Sequence, residues 1–189
     1  KDYAKKILKF DINKKYFLFS AFNGIMDNRK GFDLLLKSLP KLNIDKKNFT
    51  IVILGNADGL DEIKKTHDYD FKVFNKIFNN DQDSLKTIYS ACDILIMPSR
   101  LEAFGLVALE AGSCSLPCVS FKETGVEDII KHNYDGYLAD YLNVEDLAKG
   151  INLLNNETTR HKMSINIRNK IIKNFSYEII SSKYKDIYK

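Results

Sequence analysis

The chain has 189 residues, about one domain, and is long enough to bury a real core. An apolar fraction of 44% beside 29% charged residues is the composition of an ordinary soluble globular chain. The formal charge of +4 is small, and its lysines alternate with acids along the whole length. That argues against a nucleic-acid surface and suits an anionic small ligand.

Short apolar runs alternate with amphipathic stretches, the pattern of a doubly wound parallel α/β sheet of about six strands. Residues 1–15 read as an incoming linker or single helix outside the core. A Rossmann-like core follows over 16–143. YFLFSAF (16–22) is a buried strand, FDLLLKSLPKL (32–42) a helix, FTIVILG (49–55) a strand and 60–67 a polar helix. FKVFNKIF (71–78) reads as a third strand, and a helix over 84–91 enters through Asp81, Asp83 or Ser84 as caps. DILIMPS (93–99) is a continuous apolar strand, GLVALEAG (105–112) a helix, LPCVSF (116–121) a strand, 126–131 a short helix and GYLAD (136–140) the last strand. Residues 144–189 carry only helical periodicity and complete the domain as a C-terminal extension.

Cys92, Cys114 and Cys118 sit in apolar stretches, and His67, His132 and His161 are scattered. Small buried hydrophobes in a reducing compartment are expected, rather than a disulfide framework or a zinc site. Asp81-x-Asp83 and Asp68-x-Asp70 read as turn and cap residues, so no metal is expected. No apolar run is long enough to span a bilayer, and a start at Lys1 reads as a fragment or a processed chain.

Ligands of open parallel sheets bind at the carboxyl ends of the strands. Two loops there carry chemistry. NGIMDNRKG (23–31) follows the first strand and brings Arg29 and Lys30 to a helix start. PSRLEAFG (98–105) runs from a buried strand into a helix, whose free amides near 103–106 make an anion site. Gly105 permits close approach of a ligand to the backbone. Arg29 and Lys30 converge on the same anion in this reading, and a diphosphate fits. Taken alone, Glu102 is equally an exposed loop carboxylate, Glu110 equally a lysine's partner, and the Glu-x7-Glu spacing is a weak motif.

The run PSRLEAFGLVALEAGSCSLPCVSF (98–121) resembles the signature of the family 4 retaining glycosyltransferases, the group 1 glycosyltransferases, with Glu102 and Glu110 as the ends of the family's E-x7-E motif. RKGFDLLLKSL (29–39), SLKTIYSACDILIMPS (84–99) and DGYLAD (135–140) resemble its other blocks in order and spacing. The resemblance covers nearly the whole chain and implies the C-terminal, donor-binding half of a GT-B fold, two facing Rossmann-like domains. It implies transfer of a sugar from a nucleoside diphosphate donor to an acceptor hydroxyl with retained configuration and no cofactor. Lys30, or Arg29, would hold the diphosphate and stabilise the leaving group. Glu102 would face the transferred sugar without acting as a covalent nucleophile, and Glu110 would accept from the ribose hydroxyls. The backbone of Ala103, Phe104, Gly105 and Leu106 would meet sugar and phosphate, and Phe74 to Ile77 would border the base.

The family's Gly-Arg pair after the first strand is replaced by Asn23-Gly24, which makes Asn23 a weaker candidate for the site. Thr124-Gly125 stands for a glycine pair, and Asn75 for a glycine. The implied partner is the enzyme's own N-terminal acceptor domain, and the implied place is the cytoplasm or the inner face of the membrane, with room for peripheral attachment. Bacterial polysaccharide or glycolipid assembly is the expected setting. The rival reading is a non-catalytic α/β nucleotide- or sugar-binding module. A receiver domain would need acids where Asn23 and Asn75 stand. A GT-B epimerase would need catalytic groups across the cleft.

Overall fold

Strands covered on both faces need mostly apolar side chains, and here they have them; the buried exceptions, Thr50 and Ser120, are hydrogen-bonded to Asp70 and to the Met97 carbonyl. The computed structural model describes residues 1–75 and 81–188. Six strands form one parallel sheet: β1 (Lys15–Ala21), β2 (Phe49–Gly55), β3 (Phe71–Phe74), β4 (Ile94–Met97), β5 (Cys118–Phe121) and β6 (Gly136–Ala139), in the order β3-β2-β1-β4-β5-β6. β2, β4, β5 and β6 are buried at every residue, whereas the edge strand β3 is only partly covered.

Helices α1 (Asp2–Ile7), α2 (Phe32–Ser38), α3 (Leu60–Thr66), α4 (Gln82–Ala91), α5 (Leu106–Ser113), α6 (Val144–Asn155), α7 (Glu157–Phe175) and α8 (Tyr177–Ile187) flank it. The two-residue period of the strands divides the core. Phe17, Phe19, Ile94 and Ile96 meet α2 and α6 on one face. Tyr16, Leu18, Leu95 and Met97 meet α1, α4, α5 and α7 on the other. The expected doubly wound sheet with a helical C-terminal extension is therefore present, and every link between neighbouring strands is parallel.

Three expectations change. Residues 1–15 join the core: Ala4 and Phe10 are buried, and the Phe10 ring stacks on Tyr16 at 4.0 Å. The helix expected over 32–42 stops at Ser38, and a 3-10 turn over Leu39–Lys41 follows, because Pro40 has no amide to continue the ladder. The helix expected over 126–131 is a 3-10 turn, Gly125–Asp128. Of the strand expected over 71–78, residues 71–74 are extended and 76–78 lie outside the described residues. Among the described residues no helix is long and apolar enough to cross a membrane.

Candidate functional site

The strand order reverses direction around β1 and β4, the neighbours at the centre of the sheet. A crevice outside the carboxyl ends of such a pair is where open α/β sheets take ligands. The loop after β1 and the loop after β4 meet there. Arg100 and Leu101 donate their amides to the Arg29 carbonyl, at 2.7 and 3.5 Å. The approach is so close that Gly31 (φ +70°) has no room for a side chain, since a Cβ would overlap the Pro98 carbonyl.

This contact brings Lys30 and Glu102 together, with the ammonium donating to Glu102 Oε2 at 2.8 Å. Both side chains are only partly exposed, 29% and 15%. They line an open recess of about 480 Å³ with Arg29, Leu101 and Ala103. Behind them α5 begins at Gly105, whose left-handed φ of +95° lets the chain turn into the helix. The Ala108 amide already donates to the Gly105 carbonyl at 2.8 Å. The amides at the very start of α5, those of Leu106 and Val107, are therefore the ones without an acceptor in the helix, and the helix dipole adds positive potential. The loop is braced from the turn after β5, where the Gly125 amide donates to the Glu102 carbonyl at 2.8 Å.

Arg29 does not accompany Lys30. Its Nε and Nη2 donate to Asp27 at 3.0 and 2.8 Å, and its own amide donates to Asp27 Oδ1 at 3.0 Å. Hydrogen bonding from Arg29 holds the Asp27 carboxyl at a pKa of about 2. The same Asp27 accepts from Asn23 Nδ2 at 3.5 Å, so Asn23 is part of this loop's internal network. Ala103 is exposed at the recess, Leu106 is exposed but not part of its lining, and Phe104 is half-buried with its ring 6.2 Å from Phe175. Phe74 ends β3 and leans toward Phe10, with ring centroids 6.2 Å apart. Ile77 lies outside the described residues.

Glu110, one turn into α5, lines a second recess of about 540 Å³ between α4 and α5, with Asp83, Lys86 and Arg168 on its walls. Its partner is a tyrosine rather than a lysine. Tyr89 donates its hydroxyl to Glu110 Oε2 at 2.7 Å. Burial, and then the Glu110 charge, push the Tyr89 phenol upward, so it remains a donor at neutral pH. Neither Tyr89 nor Arg100 is evident from the sequence as a site residue. Tyr89 lies three residues before Cys92 on a helix that reads as plain amphipathic packing. The Arg100 guanidinium grips Asp33 through two bonds of 2.8 Å, which holds the Asp33 carboxyl below the usual carboxylate range. The aspartates of the two Asp-x-Asp pairs with resolved partners are occupied: Asp81 caps α4 at the Ser84 amide, Asp68 pairs with Lys46, and Asp70 accepts from Thr50 and Lys14.

The chain matches the family described as glycosyl transferases group 1 over residues 2–170. An uncharacterized glycosyltransferase of Methanocaldococcus jannaschii is 30% identical over 173 residues, covering 89% of this chain and 44% of the relative. The N-acetyl-alpha-D-glucosaminyl L-malate synthase of Bacillus anthracis is 32% identical over 113 residues, 59% of this chain and 30% of the enzyme. Sucrose-phosphate synthase from Thermosynechococcus elongatus superimposes with a TM-score of 0.85 at 20% identity, over 100% of this chain and 48% of that one. Anabaena HepE, solved in complex with UDP and glucose, gives 0.78 at 20% identity over 97% of this chain and 50% of its own. These structural likenesses establish the fold, that of one half of a GT-B glycosyltransferase. The chain spans about half, or less, of the length of these relatives.

Proposed function

Given that this chain belongs to the group 1 glycosyltransferases, we propose that it is the donor-binding half of a retaining, family 4 hexosyltransferase that uses a nucleoside diphosphate sugar. The observation that carries this reading is the Lys30–Glu102 pair at the start of α5, where the loops after β1 and β4 meet. A diphosphate arriving at the α5 amides draws the Lys30 ammonium away from Glu102. Lys30 then offsets the negative charge that grows on the leaving group as the glycosidic bond breaks. Glu102, released from its cation, faces the sugar as a hydrogen-bond acceptor. The acceptor hydroxyl attacks from the face the phosphate leaves, with the phosphate taking its proton, so configuration is retained without a covalent enzyme intermediate. Arg29, tied to Asp27, shapes the loop and adds long-range positive potential.

Glu110 accepts from the ribose, with Oε2 held by Tyr89 and Oε1 turned to the ligand. The acceptor is supplied by an N-terminal domain in the longer protein, and the 189 residues alone bind donor without transferring sugar. The names of relatives such as the lipopolysaccharide 1,2-N-acetylglucosaminetransferase of Salmonella typhimurium support a role in bacterial polysaccharide or glycolipid assembly; a cytoplasmic place is part of the proposal. Calorimetry with UDP, GDP and ADP tests the site. At least one should bind the wild type, and Glu110→Ala should weaken that one about tenfold, the loss of a charged hydrogen bond. Equal binding by both proteins would overturn the ribose assignment. Sugar transfer by the isolated 189 residues would overturn the need for a second domain.

A further inference from the structure

Arg100 belongs to the same loop as Glu102, yet the partners of its guanidinium are residues outside the lining of the recess. Nη1 donates to the Asn28 carbonyl at 2.7 Å and to Asp33 Oδ1 at 2.8 Å, and Nη2 donates to Asp33 Oδ2 at 2.8 Å. Its amide donates to the Arg29 carbonyl at 2.7 Å, and its own carbonyl accepts from the Tyr141 hydroxyl at 2.9 Å. One residue therefore joins the loop after β1, the first turn of α2, the loop after β4 and the segment after β6. Lys30 is enclosed between two of these fixed points, Asn28 and Asp33. A planar, bidentate guanidinium–carboxylate pair fixes direction as well as distance, which a lysine in the same place does not.

We propose that Arg100, seated on Asp33, is a positioning residue that sets the distance between Lys30 and Glu102 and so tunes the site for a diphosphate. This rests on the donor-site reading above. A clamp that serves only the fold would change the stability of α2 and leave phosphate selectivity alone. A clamp that positions Lys30 acts through the group that Lys30 recognises, so its loss is felt by a nucleoside diphosphate more than by the corresponding monophosphate.

The test uses the full-length enzyme and its Arg100→Ala, Arg100→Lys, Asp33→Asn and Lys30→Ala variants, with calorimetry of UDP, GDP and ADP and their monophosphates. Arg100→Ala and Asp33→Asn should each weaken the preferred diphosphate about tenfold and the monophosphate less than twofold, with Arg100→Lys in between. Adding Lys30→Ala to Arg100→Ala should cost no more than Lys30→Ala alone, since both remove the same contact. Additive losses, or equal losses for mono- and diphosphate, overturn the proposal. Amide hydrogen exchange gives a second readout that needs no nucleotide. Residues 27–31 and 98–103 should exchange at least tenfold faster in Arg100→Ala and Asp33→Asn, with β1 and β4 unchanged. Unaltered protection in both variants refutes the clamp even if nothing binds, whereas a wild type that binds none of the three diphosphates sinks the donor-site reading alone. If Arg100→Ala fails to fold, the isosteric Asp33→Asn carries both measurements.

Discussion

The two ends of β4 each hold a charged cluster, and they are built to opposite plans. At the amino end Asp93 is buried, 2% exposed, and faces Lys1 at 2.7 Å, Lys5 at 3.6 Å and Arg160 at 3.7 Å. It also accepts from the Tyr16 amide at 2.8 Å. At the carboxyl end Lys30 and Glu102 form one partly exposed pair beside the first-turn amides of α5. Asp93 is crowded with donors, so it can offer nothing to a ligand; its role is to pin α1 and α7 to the sheet. The Lys30 pair is singly bonded and reachable, so an incoming anion can rearrange it. Saturation marks the structural cluster, and availability is what the proposed donor site requires of the other.

Four measurements break or sharpen that contrast. Asp93→Ala should have the largest effect, roughly 3–5 kcal/mol of stability by denaturant titration, because it strands buried cations. The folded fraction should bind nucleotide as the wild type does. Lys30→Ala should show the reverse pattern: affinity for a nucleoside diphosphate falls by about 2 kcal/mol, roughly thirtyfold, while the melting temperature stays put. A large loss of stability in Lys30→Ala would erase the distinction.

Tyr89→Phe comes next, at about 1 kcal/mol for the lost hydroxyl. It should lower the preference for a ribonucleotide over its 2′-deoxy form, measured by competition, and an unchanged ratio would separate Tyr89 from Glu110's function. The smallest effect is the acid response. Burial pushes the Asp93 carboxyl up, but Lys1, Lys5 and the Tyr16 amide outweigh it and leave it below its ordinary range. Its contribution is therefore present above the unfolded carboxylate range, near about pH 4, and fades as pH falls below it. Asp93→Asn should flatten that part of the stability profile, and an unchanged slope would assign the acid sensitivity elsewhere.

Much of the fold is legible in the sequence because a central parallel strand is apolar over nearly its whole length. Phe49–Gly55 and Ile94–Met97 announce themselves that way. Asp81 reads correctly as a cap because capping is local chemistry. Residues 1–15 mislead because Ala4 and Phe10, six positions apart in a lysine-rich stretch, show no face of their own until Tyr16 stacks on one of them. In the site, Lys30 and Glu102 stand out as separate candidates. Their bond depends on β1 lying beside β4, and strand order leaves no mark on local pattern. Arg29's diversion was within reach, since an aspartate two residues before an arginine can fold back onto it. The Arg100–Asp33 grip spans 67 positions, and nothing short of the tertiary structure reveals it.

The central place of β1 also bears on how the molecule is made. During synthesis β1 and β2 can pair as soon as both have left the ribosome, yet the other side of β1 waits for residue 94. Through that interval the half-built sheet shows the open backbone of β1, a largely apolar edge of the kind that recruits other chains. The nascent protein is most exposed to aggregation while the strand at the centre of its sheet stands without its second neighbour.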